Sequence, residues 1–392
     1  MLPSLFKLKV LCIAALLPST LLANELVKVE VIASNNYQTN MVVAAKEGSF
    51  KQDPELVAYV FERAKFKQYQ EPQLFIEVMD WVASQWQHDG LNEAPSEMSS
   101  LDILKSVHQQ GTRYRCVEYG KVMADILSAM GHHSRQIGLQ SSDVAYGGWG
   151  KGHVATEVWS NDLNKWVFFD PQFSTYAQYE GQYLNIHDMY RLKRQGKFEQ
   201  ISFIVTSNFA KVNDIKQQDN QAGYSQFLTN YFGYHVASQQ IGDKKQSTVL
   251  MMEAKEPFLT FQGMGSNRTK LFTKAVEIAY PKMNQTFFSM SALPNADVSF
   301  QSVMQQNKIE SEQDYLDNMW RFAAQGKVAM TLYNNMQQFS HYQLKTNQND
   351  WIEHKAAEYT WELQNGINRF EVRSVSNEGV IGPMTFAEVR YQ

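Results

Sequence analysis

The chain carries two cysteines, and only Cys116 lies in a region suited to a folded domain. Cys12 sits in the apolar run 10–17, after Lys7 and Lys9 and before Pro18-Ser19-Thr20-Leu21-Leu22-Ala23. This pattern predicts a secretory leader over residues 1–23, cleaved after Ala23 and taking Cys12 with it. Leu11 precedes Cys12 in place of the small residue that a lipid-processing site needs, so no lipid anchor is expected. One remaining thiol excludes an intrachain disulfide. The fold must therefore rest on packing alone, and 44% hydrophobic and 13% aromatic residues can supply that core.

Later runs fall short of the roughly 18 apolar residues of a membrane span. The mature chain is thus expected to lack one and to be secreted or periplasmic. A net charge of −4 argues against a nucleic-acid partner, because no strongly basic region is available to neutralise phosphates. The short run Arg191-Leu192-Lys193-Arg194 reads as a solvated helix face.

Residues 26–31 alternate apolar and charged side chains and read as a strand. Residues 54–66 and 72–88 read as helices, each with Pro near its start and apolar residues at helical spacing. Ser99-Ser100-Leu101-Asp102 opens a further amphipathic helix to about Gln109, and Gly111 marks a turn. The next helix begins at Cys116, carries apolar residues at Tyr119, Val122, Met123, Ile126, Leu127 and Met130, and stops at Gly131.

A thiol at that position faces the positive end of the helix dipole, where the thiolate is favoured. Gly147-Gly148-Trp149-Gly150-Lys151-Gly152 has neither Walker spacing nor a following Ser or Thr, so it reads as a flexible lead into a strand and not as a phosphate cradle. That strand is Gly152-His153-Val154-Ala155-Thr156-Glu157-Val158-Trp159, followed by Lys165-Trp166-Val167-Phe168-Phe169-Asp170-Pro171. Pairing Trp159 with Trp166 in an antiparallel hairpin puts His153, Ala155 and Glu157 on the same face as Phe168 and Asp170, since side chains alternate with period two. Taken singly, Cys116 suits a buried structural thiol, His153 a satisfied histidine and Asp170 a turn. Together Cys, His and Asp are the parts of a thiol acyl-transfer site.

These residues resemble the transglutaminase-like superfamily, with its papain-like fold. The match lies in a cysteine that starts a helix running into Gly131-His132-His133-Ser134-Arg135, in His153 heading an aromatic-rich strand, and in Trp166 through Asp170-Pro171. It covers roughly residues 72–196. The resemblance implies nucleophile Cys116, base His153 and orienting carboxylate Asp170. It departs from the family at Gln172, where Thr or Ser is frequent, and at Val154-Ala155, where a small residue and an aromatic one are commoner. The family includes amide hydrolases, transamidating enzymes and inactive members, and some relatives use calcium, although nothing in this sequence demands a metal or other cofactor. The backbone N–H of Cys116 is one expected oxyanion donor, with Trp86, Gln109 and Gln110 as side-chain candidates for another. Glu118 in the first turn can approach the site, although the dipole alone accounts for a carboxylate there.

Beyond residue 196, a helix is expected over 226–235, with strand-like runs at 248–252, 258–261, 275–279 and 328–332. Residues 359–373 read as two strands around Asn365-Gly366, followed by a turn at Asn377-Glu378-Gly379 and a strand over 386–391. Asn267-Arg268-Thr269 and Asn284-Gln285-Thr286 match glycosylation acceptors. The expected class is α+β: a papain-like, transglutaminase-like core over 24–200, a mixed connecting segment over 201–245, and an all-β, immunoglobulin- or fibronectin-like sandwich over 246–392. The expected function is a cysteine-dependent enzyme acting on protein or peptide amides, with hydrolysis favoured over transamidation. The alternative is a binding or assembly protein on an inactive papain-like scaffold.

Overall fold

The computed structural model describes residues 29–36, 53–66, 69–143, 151–241, 244–257, 270–294, 299–336 and 339–391. The expected leader, the glycines at 147–150, the run 258–261 and Asn267 lie outside the described residues. Three helices precede the thiol and a fourth begins with it: α1 (Pro54–Phe61), α2 (Gln73–Ala83), α3 (Ser100–Gln110) and α4 (Cys116–Ala129). The first two are shorter than their apolar periodicity predicts because side chains capture their last carbonyls. Arg63 donates to the Tyr59 carbonyl at 2.7 Å, and Ser84 and Gln85 both donate to that of Trp81, at 2.7 and 2.6 Å. α3 has a reciprocal cap between Ser99 and Asp102 and ends at Gly111 with φ +69°. Such a cap contributes about 1 kcal/mol.

A nine-stranded sheet carries the rest of the site. Its strands are β2 (Ser134–Gln140), β3 (Gly152–Ser160), β4 (Lys165–Asp170), β5 (Thr175–Tyr179), β6 (Gln182–Tyr183), β7 (Ser202–Val205), β8 (Tyr234–Ile241), β9 (Lys244–Met251) and β10 (Lys270–Thr273). Their order is β10-β9-β8-β2-β3-β4-β5-β6, with β7 on β5. Alternation sorts the two faces. Val158, Val167 and Phe169 pack among the apolar side chains of α1 to α4. Ala155 and Phe168 face the other way, toward α5 (Ile186–Arg194) and α7 (Gln217–Leu228), with the short α6 (Ser207–Val212) between them in the chain. Burying each of these large side chains contributes roughly 1.5–3 kcal/mol.

Residues 201–245, expected to connect two domains, instead extend this sheet: β7 pairs with β5, and β8 pairs with β2. The helix expected over 226–235 runs over Gln217–Leu228, and Tyr234 begins a strand. The physical cause is polar. Gln217 bonds the β7 backbone through both amide atoms, and Gln221 accepts from the Phe203 N–H of β7 and donates to the Ile201 carbonyl just before it, all at 2.6–3.1 Å, so the glutamine-rich segment is fixed as a helix without a strong apolar stripe. Gly233 then passes so close to Ser141 and Ser142 that a Cβ would lie 2.3 Å from the Ser142 nitrogen. The chain can turn there only with glycine.

Two further sheets make the C-terminal part. A three-stranded sheet has the order β11-β12-β15, from β11 (Thr286–Pro294), β12 (Ala323–Asn334) and β15 (Glu358–Glu362). A five-stranded sheet has the order β1-β17-β16-β13-β14, from β1 (Val29–Ser34), β13 (Phe339–Thr346), β14 (Ile352–His354), β16 (Gly366–Ser376) and β17 (Thr385–Tyr391). They share one core, in which Phe288, Met330 and Trp361 meet Leu344, Phe370 and Val389. The strand expected at 26–31 begins at Val29 and pairs with β17 at the opposite end of the chain.

Three expectations change. The strands flanking Asn365-Gly366 are not a hairpin pair, because β15 joins one sheet and β16 the other, so the turn crosses the sandwich. Residues 275–279, read as strand-like, include the short helix α8 (Val276–Ala279). Asn284, a glycosylation match, is buried and hydrogen-bonded to His133 at 2.7 Å and to Asn161 at 3.0 Å, which leaves its amide no access for a glycan.

Candidate active site

The Trp159–Trp166 pairing is present, with Glu157 opposite Phe168 and Thr156 opposite Phe169. His153 and Asp170 consequently share a face, and His153 Nε2 donates to Asp170 Oδ2 at 2.7 Å. Cys116 arrives from the start of α4, half-buried, and lies close enough to the same imidazole to help raise its pKa. With Nε2 committed to Asp170, Nδ1 is the ring nitrogen left for the sulfur.

Local sequence explains the approach of α4 to β3. Thr156 donates to the Gly120 carbonyl at 3.1 Å, and Gln136 donates to that of Val117 at 2.6 Å. A Cβ on Gly120 would stand 2.9 Å from Val154 Cγ1 and 3.0 Å from the Ala155 carbonyl oxygen, so the glycine permits the contact. We expect Gly120→Ala to cost about 1–3 kcal/mol of stability and to slow alkylation of Cys116 severalfold by displacing the helix start. Denaturant unfolding and iodoacetamide kinetics measure the two effects, and unchanged alkylation would show that this contact does not set the position of the thiol.

The electrostatics of the site centre on His153. Burial by itself would lower its pKa, but the charge and hydrogen bond of Asp170, joined by Cys116, outweigh burial and push it up to about 10. The imidazole is therefore held as imidazolium beside the sulfur through neutral pH. Asp170 is wholly buried and fully engaged: Oδ1 accepts from the Gln172 backbone N–H at 3.0 Å, and Oδ2 accepts from Tyr224 at 2.6 Å as well as from His153. Gln172, a departure from the family pattern, thus serves the carboxylate through its backbone.

Sequence reasoning missed the residues that α7 brings. Tyr224 and Phe227 lie on it, and Tyr231 follows. The Phe227 ring meets the His153 ring edge-on at 5.0 Å, with Phe173 at 5.8 Å and Tyr231 at 6.3 Å. Burial and then the charge of Cys116 raise the Tyr231 phenol pKa. His88, in an exposed loop, feels the charges of both His153 and Asp170; burial and then His153 lower its pKa. None of these positions carries a local motif that could have flagged it.

The side-chain oxyanion candidates fare differently from the backbone one. Trp86 is buried, stacked on Tyr119 at 4.2 Å, and donates its indole N–H to the Tyr114 carbonyl at 3.2 Å, so that hydrogen is already committed. Gln109 and Gln110 are exposed on the last turn of α3. Arg115, the residue before α4, provides no side-chain cap; the Glu118 N–H bonds the Arg115 carbonyl at 3.2 Å, and the Cys116 N–H at the helix start remains the expected backbone donor. Glu118 is buried and accepts from the Ala94 N–H at 3.0 Å, pinning the preceding loop to α4. Burial raises its pKa.

Behind the site, on the face of β3 that carries His153, Glu157 is fully buried. Its Oε2 accepts from Arg135 at 2.8 Å and His235 at 3.0 Å, and its Oε1 accepts from Tyr280 at 2.8 Å and the Ile186 N–H at 3.2 Å. Arg135 also donates to the Ala279 carbonyl at 2.7 Å, and Trp166 to that of Pro281 at 2.8 Å. The segment leading into the C-terminal sheets is thereby fastened to the back of the site. Among the described residues, no group of three or more His, Cys, Asp or Glu side chains is placed to share a metal ion, and no helix is long and apolar enough to cross a membrane.

Residues 61–171 match the model of the transglutaminase-like superfamily core, a segment that contains Cys116, His153 and Asp170. No curated protein matches the chain. Among solved structures, a candidate cysteine protease from Cytophaga hutchinsonii aligns over 34% of this chain and 43% of its own length, at 12% identity and a TM-score of 0.26. The chain thus spans less than half of that protein. Red sea bream transglutaminase aligns over 85% of this chain and 72% of its own, at 9% identity and a TM-score of 0.24.

Proposed function

We propose that this chain, whose residues 61–171 are a transglutaminase-like core, is an exported cysteine-dependent acyl-transfer enzyme acting on protein or peptide amide bonds. The observation that carries the reading is the 2.7 Å hydrogen bond from His153 Nε2 to Asp170 Oδ2, with Cys116 at the start of α4 close enough to the same imidazole to act on its pKa. Export rests on the leader pattern over residues 1–23.

In this reading the Cys116 thiolate, paired with the His153 imidazolium, attacks the amide carbonyl carbon. The C–N bond breaks as the imidazolium passes its proton to the leaving amine. The developing oxyanion lies against the Cys116 backbone N–H at the helix start. Asp170 keeps the imidazole in place and offsets its positive charge. Neutral His153 then takes a proton from the incoming nucleophile, and the thioester carbon is released from sulfur. Water is the favoured nucleophile, because nothing beside Cys116 reads as an acidic pocket for a lysine amine and water is abundant outside the cytoplasm.

An inactive scaffold predicts an ordinary thiol, with pKa near 8.5. An ion pair predicts fast alkylation by iodoacetamide at about pH 6, with little further gain up to pH 9. The upper limit follows from the sign of the shift. A histidine raised to about 10 stays protonated below that pH and loses its charge, and its contribution to folding, only as pH rises through it. Alkylation that is negligible at pH 6 and climbs tenfold per pH unit would favour the scaffold reading. A labelled primary amine supplied with a glutamine-containing protein mixture separates the acyl acceptors. Cys116-dependent cleavage or deamidation should outpace incorporation of the label, and the reverse ratio would make the chain a transamidating enzyme.

A further inference from the structure

We infer that Tyr224, which lies outside the matched core segment, is a positioning residue for Asp170, so that the catalytic machinery is incomplete without α7. The inference rests on the Cys116–His153–Asp170 reading and extends it. Asp170 Oδ2 has two acceptor directions, and both are used: one by His153 Nε2 at 2.7 Å, the other by the Tyr224 hydroxyl at 2.6 Å. Among the described residues, the remaining hydrogen bond to this carboxylate runs from the Gln172 backbone N–H to Oδ1 at 3.0 Å. Without the phenol, the imidazole itself is the partner left on Oδ2 and Gln172 alone fixes the carboxylate independently of it, through Oδ1, so the group can rotate more freely about its Cβ–Cγ bond, which loosens the Oδ2–imidazolium contact.

The phenol is itself built in. Its ring is buried between Phe203 at 5.2 Å and Phe173 at 5.6 Å, with Phe227 at 5.9 Å. Burial, followed by the Asp170 charge, raises its pKa well above that of free tyrosine, so it remains a donor across the working range. One turn further along α7, Phe227 places its ring edge-on to His153. A single helix thus supports the carboxylate through a hydrogen bond and the imidazole through an aromatic wall. The helix is anchored in turn by the Gln217 and Gln221 amides on β7, which itself lies against β5 next to the Asp170 strand.

The test uses the full chain and iodoacetamide. Tyr224→Phe keeps the ring and removes the donor; Tyr224→Met fills similar volume with a flexible side chain, so if one variant does not fold the other still reads. Each is compared with wild type at pH 6, where an imidazolium partner is needed for a reactive thiolate, and at pH 9, where an ordinary thiol is already largely ionised. The expected result is a fall of about tenfold at pH 6 with the pH 9 rate within about twofold of wild type, the scale of losing one hydrogen bond to a charged group. A merely structural role would change both rates together or neither, and either outcome overturns the inference. A faster pH 6 rate also overturns it, because the hydroxyl would then act by drawing charge from Asp170. The underlying reading is checked separately: if Asp170→Asn leaves the pH 6 rate unchanged, the triad itself fails, whereas if Asp170→Asn lowers that rate and Tyr224→Phe does not, only the role of Tyr224 fails.

Discussion

Replacing Cys116 by alanine should remove amide-bond activity, by on the order of 10⁴-fold or more, while leaving the fold intact. The thiol is half-buried and small, so its loss opens little cavity, and the caps and packing of α4 do not involve it. Turnover of a protein mixture, scored as new termini or new isopeptide bonds, reports the activity, and urea unfolding reports the fold. Equal activity in wild type and Cys116→Ala would sink the assignment. His153→Ala should be about as severe, and Asp170→Asn somewhat less so, because imidazole can still reach the sulfur without its carboxylate. The Cys116→Ala/His153→Ala double variant should lose little more than either single one, since residues acting as one unit are not additive. Losses that add in logarithmic terms would place the two residues in separate sites.

Glu157→Gln should destabilise the protein by about 3–5 kcal/mol at neutral pH, because it strands the buried Arg135 guanidinium without its counter-charge. Burial opposes the ionised carboxylate, but His235 and Arg135 outweigh it and hold the pKa at about 2 against an ordinary 4.5. The sign follows: a depressed pKa contributes stability that is fully present above about 4.5 and is lost as pH falls through about 2. The shift corresponds to roughly 3 kcal/mol. Urea unfolding at pH 7 and at several points below 4.5 should therefore show a large gap between wild type and variant that narrows with acid. A gap constant from pH 7 to pH 3 would mean that folding does not depress the Glu157 pKa. The same variant bears on activity, because Glu157 lies on the strand of His153 and its partners Arg135, His235 and Tyr280 come from three other parts of the chain.

Local pattern determined the parts of this protein that depend on neighbours in the chain. The apolar spacing after Cys116 places a helix, Ser99 and Asp102 cap another, and the alternation across Trp159 and Trp166 puts His153 and Asp170 on one face. Period and parity follow from backbone geometry alone, so they can be read without knowing what the segment packs against. The tertiary structure decided what those rules cannot encode. Tyr224 reaches Asp170 across 54 residues, and Tyr280 reaches Glu157 across 123. β1 closes on β17 at the far end of the chain, and β15 and β16, adjacent in sequence, go to different sheets. A glutamine-rich segment becomes a helix because its amides find the backbone of β7. Such contacts are chosen by burial and by hydrogen bonds between distant segments, which leave no period in either partner. Cys116, His153 and Asp170 could therefore be singled out as candidates from sequence, and Glu157 placed on the face of His153, whereas the tyrosine holding Asp170 and the partners that hold Glu157 became visible only once the sheet was assembled.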